Sequence, residues 1–476
     1  MSMRGSPEVR RLAAGTLMPG FAGTTVPDWV RRARDEGVGS LALYGSNVTD
    51  PGGLAPVLGR LRELGPLLLA TDEEGGDVTR VHYPHGSPEP GNAVLGRLDD
   101  PARTYDSARR IGTAAASLGI SLVLGPVLDV NSAADNPVIG VRSFGADPEL
   151  VARHGTAWIR GVQSTGVASC AKHFPGHGAT HTDSHLTVPV VTAERAVLER
   201  RELVPFRAAI TAGVPAVMSS HLLVPALDPD TVVTFSSRVI EEQLRGGLGF
   251  TGTVVTDALD MVGASDGIGI PAAAVRALAA GCDLLCLGSR TDEEQYDAVV
   301  DAIVDAVTSG RLSAGRLEQA LDRIGRLSSL TSEPGPEPVG PVGDVTEAFE
   351  LTASGRAWLD LPGPALLVQV ESAANEAVGR VGWGPANIEP SVVVVHPDGK
   401  ASADPLGAGP CKVAVIGRAI DGRHPALDLA ARLRANDREV VVVECGWPRG
   451  TADITSFGSS PVVAAALVAL LTGRSG

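Results

Sequence analysis

The sequence predicts an α/β protein, a (β/α)8 TIM-like barrel followed by a smaller α/β sandwich domain. Three observations lead there. Eight β-rich runs alternate with helical stretches over the first 330 residues, the size expected of eight β/α units. Several of these runs end on a polar or ionisable residue. A stretch unsuited to helix or strand then separates them from a second, shorter series of apolar runs. A doubly wound open sheet is the competing arrangement, since counting strands does not prove closure.

The eight runs are "RLAAGTLMPGF", "SLALYG", "PLLLATD", "SLVLGPVLD", "ASCAKHF", "PAVMSSH", "GTVVTD" and "DLLCLGS". Some are continuously apolar, as strands buried on both faces are. Between most of them lie stretches rich in Ala, Arg, Glu and Leu, such as "AERAVLERRELVPFRAAITAG" (193–213), with glycine as the stop signal. Residues 331–344, "TSEPGPEPVGPVGD", hold four prolines and three glycines and read as a linker. The division is therefore a barrel over 1–330, a linker over 331–344 and an α/β domain over 345–476. That last part carries "PALLVQV", "SVVVVH", "CKVAVIG" and "REVVVVECG", interleaved with helical "HPALDLAARLRAN" and "PVVAAALVALLTG", and predicts a mainly parallel sheet.

Composition narrows the function classes. The 476 residues exceed one ordinary core. A hydrophobic content of 44% with 20% charged residues describes a soluble globular protein. Asp and Glu outnumber Lys and Arg by 55 to 40, for a net charge of −15, which argues against nucleic acid or an anionic membrane as partner. The N-terminal stretch lacks a signal-peptide core, and no segment approaches the roughly 18 apolar residues of a membrane span. Cysteines 170, 282, 286, 411 and 445 read as reduced and mostly buried thiols. A cytoplasmic location is expected.

The polar strand ends are Asp72, Asp129, Lys172 with His173, His221 and Asp257. Any one alone reads as a cap for the helix that follows. As a set in a barrel, they surround one mouth. "KHFPGHGATHTDSH" (172–185) adds His173, His177, His181 and His185 at four-residue intervals. On a helix these rings would form a metal-binding comb. Pro175, Gly176 and Gly178 oppose a helix, since proline costs about 3 kcal/mol and glycine about 1. The segment reads instead as a strand end with a glycine-hinged loop able to close over a substrate, and neither metal nor cofactor is expected. Asp183 and His185 stand two apart, close enough for the carboxylate to orient the imidazole and raise its basicity. On "DxH" alone, a solvated aspartate beside an unrelated histidine is the simpler reading.

"KHFPGHGATHTDSHLTVP" resembles the signature of glycoside hydrolase family 3, in its β-N-acetylglucosaminidase branch. "DEEGGDVTR" (72–80), "LGPVLDVNSAADNPVIGVRSFG" (124–145), "AVMSSH" (216–221) and "LGFTGTVVTDALDM" (248–261) accompany it in the expected order, so the resemblance spans roughly residues 10 to 330. It implies Asp257 as the nucleophile of a covalent glycosyl-enzyme and His185 as acid/base with Asp183 as its partner. Asp72, Arg80, Arg142, Lys172 and His173 would hold the sugar hydroxyls, with His221 on the same wall. Three departures stand out: Glu73 where the branch usually shows Gln, Asp77 where it often shows Arg, and Ala258 for an acidic residue. They alter the charge expected near Asp72.

"GRAIDGRH" (417–424) has the glycine spacing of a phosphate loop but Arg423 and His424 where Lys and Ser/Thr belong; it reads as a strand-to-helix turn. The second domain reads as structural or dimer-forming, so a homodimer is a further expectation. The whole predicts a retaining exo-β-N-acetylglucosaminidase acting on terminal GlcNAc glycosides such as cell-wall fragments. A phosphorylase using the same residues, a non-catalytic sugar-binding protein and a metal-dependent hydrolase are the alternatives.

Overall fold

The computed structural model describes residues 7–49, 52–83, 85–182, 187–330, 340–372, 378–379, 381–396, 400–402, 411–450 and 452–474. It is a mixed α/β fold with two six-stranded sheets. In the first part of the chain the strands are β1 (Leu17–Met18), β2 (Ser40–Leu43), β3 (Leu68–Thr71), β4 (Leu122–Val123), β5 (Ala168–Phe174), β6 (Ala216–Ser219), β7 (Thr253–Thr256) and β8 (Leu285–Cys286). β2 to β7 form one parallel sheet in chain order. β1 pairs with β8, Leu17 opposite Leu285. This pair meets the sheet at each end: Val255 bridges Leu284, and the Ala42 amide donates to Pro19 O at 3.0 Å.

The sheet curls around an apolar interior. Met18, Ala42, Ala70, Leu122, Cys170, Met218, Val255 and Cys286, one from each strand, belong to one buried cluster. The alternate residues, including Leu17, Leu41, Leu69, Val123, Ala171, Val217, Val254 and Leu285, pack outward against the helices. Period-two alternation on strands buried on both faces explains why these runs read as continuously apolar. The helix Pro101–Leu118 shows how the helices are set. Asp100 accepts from the Ala102 and Arg103 amides, and Gly119 ends the helix in the left-handed region at φ 79°. It lies so close to the helix Pro148–Gln163 that a Cβ on Gly161 would stand 2.4 Å from Tyr105 O.

The second sheet contains β9 (Glu350–Leu351), β10 (Ala365–Val370), β11 (Val393–Val395), β12 (Lys412–Gly417), β13 (Glu439–Glu444) and β14 (Ile454–Thr455). Their order is β11-β10-β12-β13-β14-β9, with only β9 antiparallel. One face, with Val368, Val413 and Val415, packs on Leu429 and Leu433 of the helix Pro425–Arg434. The other, with Leu367, Ala414 and Val443, packs on Leu467 and Leu471 of the helix Pro461–Thr472. Ala93 and Val94 of the helix Asn92–Leu98 join this second cluster, so the two parts of the chain share apolar surface.

Each of the eight runs contains its strand, but some of them in part only. The opening of "RLAAGTLMPGF" is helical up to Gly15, and "SLVLGPVLD" yields a strand of two residues. The stretch 193–213 is two helices, Arg195–Arg200 and Leu203–Thr211. "GRAIDGRH" is a strand-to-helix turn, running from Gly417 at the end of β12 to the helix at Pro425. No helix of the described residues is long and apolar enough to cross a membrane. Four cysteines are buried and Cys411 is exposed.

Candidate active site

The loops following the strands of the first sheet surround a cavity of about 420 Å3. Asp72, Arg80, Arg142, Lys172, His173 and Asp257 all line it, although they come from positions spread from 72 to 257. Its volume suits a small polar ligand.

One wall is a buried ion network. Lys172, in β5, reaches Asp72 Oδ1 and Glu74 Oε1, each at 2.7 Å. Arg142 grips Glu74 with Nε at 2.9 Å and Nη2 at 2.8 Å, the bidentate fork that a planar guanidinium makes. Burial alone would raise Glu74, but Arg142 and Lys172 outweigh it and hold its carboxyl well below the usual range. Burial would likewise lower Lys172, and Asp72 and Glu74 reverse this. Two cations are thus fixed against two carboxylates, and Asp72 keeps partial exposure at 21%, enough to meet a hydroxyl.

Beside this network, His173 Nδ1 lies 2.7 Å from Asp129 Oδ2. A carboxylate there assigns the proton to Nδ1 and leaves Nε2 for the cavity. Asp129 is fully buried. Burial would raise it, but His173 and then His177, whose amide donates to Asp129 at 2.6 Å, hold it below the usual carboxylate range. The peptide bond between Lys172 and His173 is cis.

Asp257 follows β7. Its own amide donates to Ser219 O at 3.1 Å, which ties it to the end of β6. Its Oδ1 accepts from the Ala258 amide at 2.9 Å. Tyr44, Met218, Asp260 and Cys286 line the same cavity. Tyr44 lies 3.1 Å from Cys286 Sγ.

Arg80 donates to Thr79 O and, across the two parts of the chain, to Val378 O, both at 3.1 Å. His221 stands outside the cavity lining. It is buried, and its Nε2 donates to Ala258 O at 3.0 Å, so it supports the turn after Asp257. Asp183 and His185 lie outside the described residues. Of the other regularly spaced histidines, His173 and His177 sit edge to face with ring centroids 6.2 Å apart. His181 is exposed, with Nδ1 2.8 Å from Asp135. After β5 ends at Phe174, the described residues 175–182 form no helix. Among the described residues, no group of three or more His, Cys, Asp or Glu is arranged to hold a metal ion.

The charge departures resolve differently from the sequence expectation. Glu73 turns away from the cavity and is 1% exposed. Its Oε2 accepts from Thr79 Oγ1 at 2.7 Å and from the Arg80 and Val81 amides at 2.8 Å, and burial pushes its carboxyl up to about 7. Asp77 accepts from the amide and hydroxyl of Ser459 at 3.1 and 2.8 Å. Neither side chain lines the cavity that Asp72 lines. Sequence reasoning missed Glu74, the centre of the ion network. Its signal was available in "DEEGGDVTR", where a third acidic residue stands two positions after Asp72.

Residues 20–327 match the glycosyl hydrolase family 3 N-terminal domain. The beta-hexosaminidase of Thiobacillus denitrificans is 38% identical over 282 residues, covering 57% of this chain and 78% of that protein. Beta-hexosaminidase A of Pseudoalteromonas piscicida is 33% identical over 320 residues, covering 61% of this chain but only 53% of the relative. The structure of a glycoside hydrolase family 3 beta-N-acetylglucosaminidase from Paenibacillus sp. str. FPU-7 is 30% identical with a TM-score of 0.86, covering 98% of this chain and 97% of that one. The matched segment contains every strand end that lines the cavity, and the chain belongs to glycosyl hydrolase family 3.

Proposed function

We propose that the protein is a retaining exo-β-N-acetylglucosaminidase that cleaves terminal β-linked GlcNAc, with cell-wall fragments as its substrate class. The observation that carries the reading is the common cavity, in which Asp257 shares one space with the Asp72–Lys172–Glu74–Arg142 network and with His173. The names carried by the relatives, beta-hexosaminidase and beta-N-acetylglucosaminidase, support the same sugar.

In this reading Asp257 attacks the anomeric carbon and forms a covalent glycosyl-enzyme, while His185, oriented by Asp183, protonates the departing oxygen. Water then enters with His185 as base, so that configuration is retained. Asp72, Arg80 and His173 Nε2 bind sugar hydroxyls. Lys172 and Arg142 hold the anionic wall in place, and such fixed charges need not reorganise during the reaction. His221 acts through the Ala258 carbonyl rather than on the sugar. The reading includes a closed (β/α)8 barrel over 1–330, supported by the single interior cluster drawn from all eight strands and by the links at β1 and β8. It includes also a separate α/β domain over 345–476 after a linker.

A fluorinated GlcNAc donor that traps the intermediate tests reaction type and nucleophile together. Peptide mapping is expected to find the label on Asp257, and Asp257→Ala to lose at least about 10^4-fold in kcat with its fold intact. Label on another carboxylate, or a chromogenic β-GlcNAc substrate turned over normally by Asp257→Ala, removes this mechanism. A sugar 1-phosphate formed in phosphate buffer would make the reaction a phosphorolysis.

A further inference from the structure

Three carboxylates stand in a row after β3, at Asp72, Glu73 and Glu74. Asp72 and Glu74 line the cavity and are held by Lys172 and Arg142. Glu73, between them, turns away and closes the turn that brings Arg80 into the same cavity. Its hydrogen bonds are one-sided. Oε2 accepts from the Thr79 hydroxyl and from the Arg80 and Val81 amides. Oε1 is buried and has no partner among the described residues. An ionised oxygen buried without a donor is costly, and a neutral one costs much less. A proton on Oε1 leaves the three contacts on Oε2 intact.

The groups around Glu73 differ in how they can answer a charge there. Arg80 is the cation that acts on it. Of the acids, Asp72 and Glu74 are compensated by the ion network, and Glu89 by Arg110. Asp77 is engaged by Ser459. His82, which burial holds below its ordinary value, gives its amide to Thr79 Oγ1. From the second part of the chain, Arg418 is turned to Ser372 and Trp383. The loss of a proton from Glu73 therefore falls on Arg80. The new charge draws the guanidinium back towards the turn and away from the cavity it lines.

We propose that Glu73 is a positioning residue for sugar binding, and that the turn binds sugar when Oε1 carries a proton. It acts through Arg80 and lies outside the cavity lining. The inference rests on the glycosidase reading above, in which Arg80 meets a sugar hydroxyl. Burial pushes the Glu73 carboxyl up to about 7, so the proton is held below neutrality and lost above it. The glutamine usual at this place in the branch that the sequence resembles would be neutral at every pH. Glutamate makes the neutral form conditional.

The test follows KM and kcat for nitrophenyl β-GlcNAc across neutral pH in the full chain and in Glu73→Gln. The wild-type KM is expected to rise about tenfold from about pH 6 to about pH 8, because the competent fraction falls to about one tenth. The KM of Glu73→Gln is expected to match at the lower pH and to lack this rise. Referred to the folded fraction, kcat carries the titrations of Asp257 and His185 and is expected to change in parallel in the two proteins. Thr79→Val removes a donor that favours the ionised form and is expected to move the rise in KM to higher pH, which a merely structural role would not do. A KM ratio between wild type and Glu73→Gln that is constant with pH, or a difference confined to kcat, overturns the inference and leaves the glycosidase reading standing. If no β-GlcNAc substrate is cleaved, that reading falls, and calorimetric titration with GlcNAc at the two pH values decides the inference. Weaker binding at the higher pH in the wild type alone supports it; equal binding, or none in either protein, overturns it.

Discussion

At the end of β5 the Lys172 ammonium is 2% exposed and stands 2.7 Å from two carboxylates. Its removal leaves Asp72 and Glu74 facing each other with Arg142 alone to balance them. Breaking such a buried network costs about 3–5 kcal/mol. Lys172→Met is expected to lose that much, read as a lowered urea midpoint, and an unchanged midpoint would show the network to be neutral for stability. Glu73 makes a different, pH-dependent prediction. Its folded pKa of about 7 lies above the ordinary 4.5, so between those values the folded protein keeps a proton that the unfolded chain has released. Stability therefore falls as pH rises through this window and levels above it. Glu73→Gln keeps the amide contacts without titrating, so its stability relative to wild type is expected to grow by about 3 kcal/mol from pH 4.5 to 7. Glu444, also pushed up to about 7 by burial, gives the same slope in both proteins and cancels in the difference. His177 slopes the other way: burial lowers it to about 4 from 6.5, so its contribution is lost on acidification between those values, again in both proteins. Denaturant titrations at several pH values check the difference, and parallel curves would contradict it.

At the scale of elements, the histidine loop depends on a close approach of two backbones. A Cβ on Gly178 would stand 1.9 Å from Val130 O and 2.9 Å from Asn131 N, and neither is the movable end of a side chain. Gly178→Ala must shift the loop, at a cost of about 1–3 kcal/mol. With His185 seven residues further on, kcat is expected to fall at least tenfold even under conditions where the variant is folded. A wild-type kcat would separate the loop from the chemistry. The sequence showed this loop through its glycines and proline, and showed the strands through their apolar runs. It did not show β9 and β14, each two residues long, because so short an edge strand carries no periodicity to read. The strand-end positions of Asp72, Lys172, His173 and Asp257 were legible since an ionisable residue closing an apolar run is conspicuous. What those residues touch was not. Glu74 meets Arg142 across 68 positions and Lys172 meets Asp72 across 100, and no local pattern encodes such pairs. The same holds for Glu73, whose neighbours in sequence suggested a charge in the site and whose hydrogen bonds turn it away.

At the scale of the whole molecule, the two parts of the chain are joined by packing as well as by polar contacts. Val94 is fully buried in the cluster that includes Phe349, Trp358, Leu467 and Leu471. Arg80, in the candidate site, donates to Val378 O, Asn387 donates to His85 O at 2.8 Å, and Ser459 is tied to Asp77. If the second sheet unfolded first, it would uncover Ala93 and Val94 and free the loop that carries Asp72, Asp77 and Arg80. The first part would then lose both apolar burial and the anchoring of its own cavity wall. Coupling of this kind favours one cooperative transition over the independent melting expected of weakly joined domains. Scanning calorimetry is expected to show a single endotherm with a calorimetric to van't Hoff enthalpy ratio near one. Val94→Asp, which buries a charge in the shared cluster at a cost of about 3 kcal/mol or more, is expected to lower that one transition as a whole. Two resolved endotherms in the wild type, with only the later part of the chain affected by Val94→Asp, would show instead that the contacts on Arg80 and Asp77 are incidental and that the candidate site stands without the second sheet.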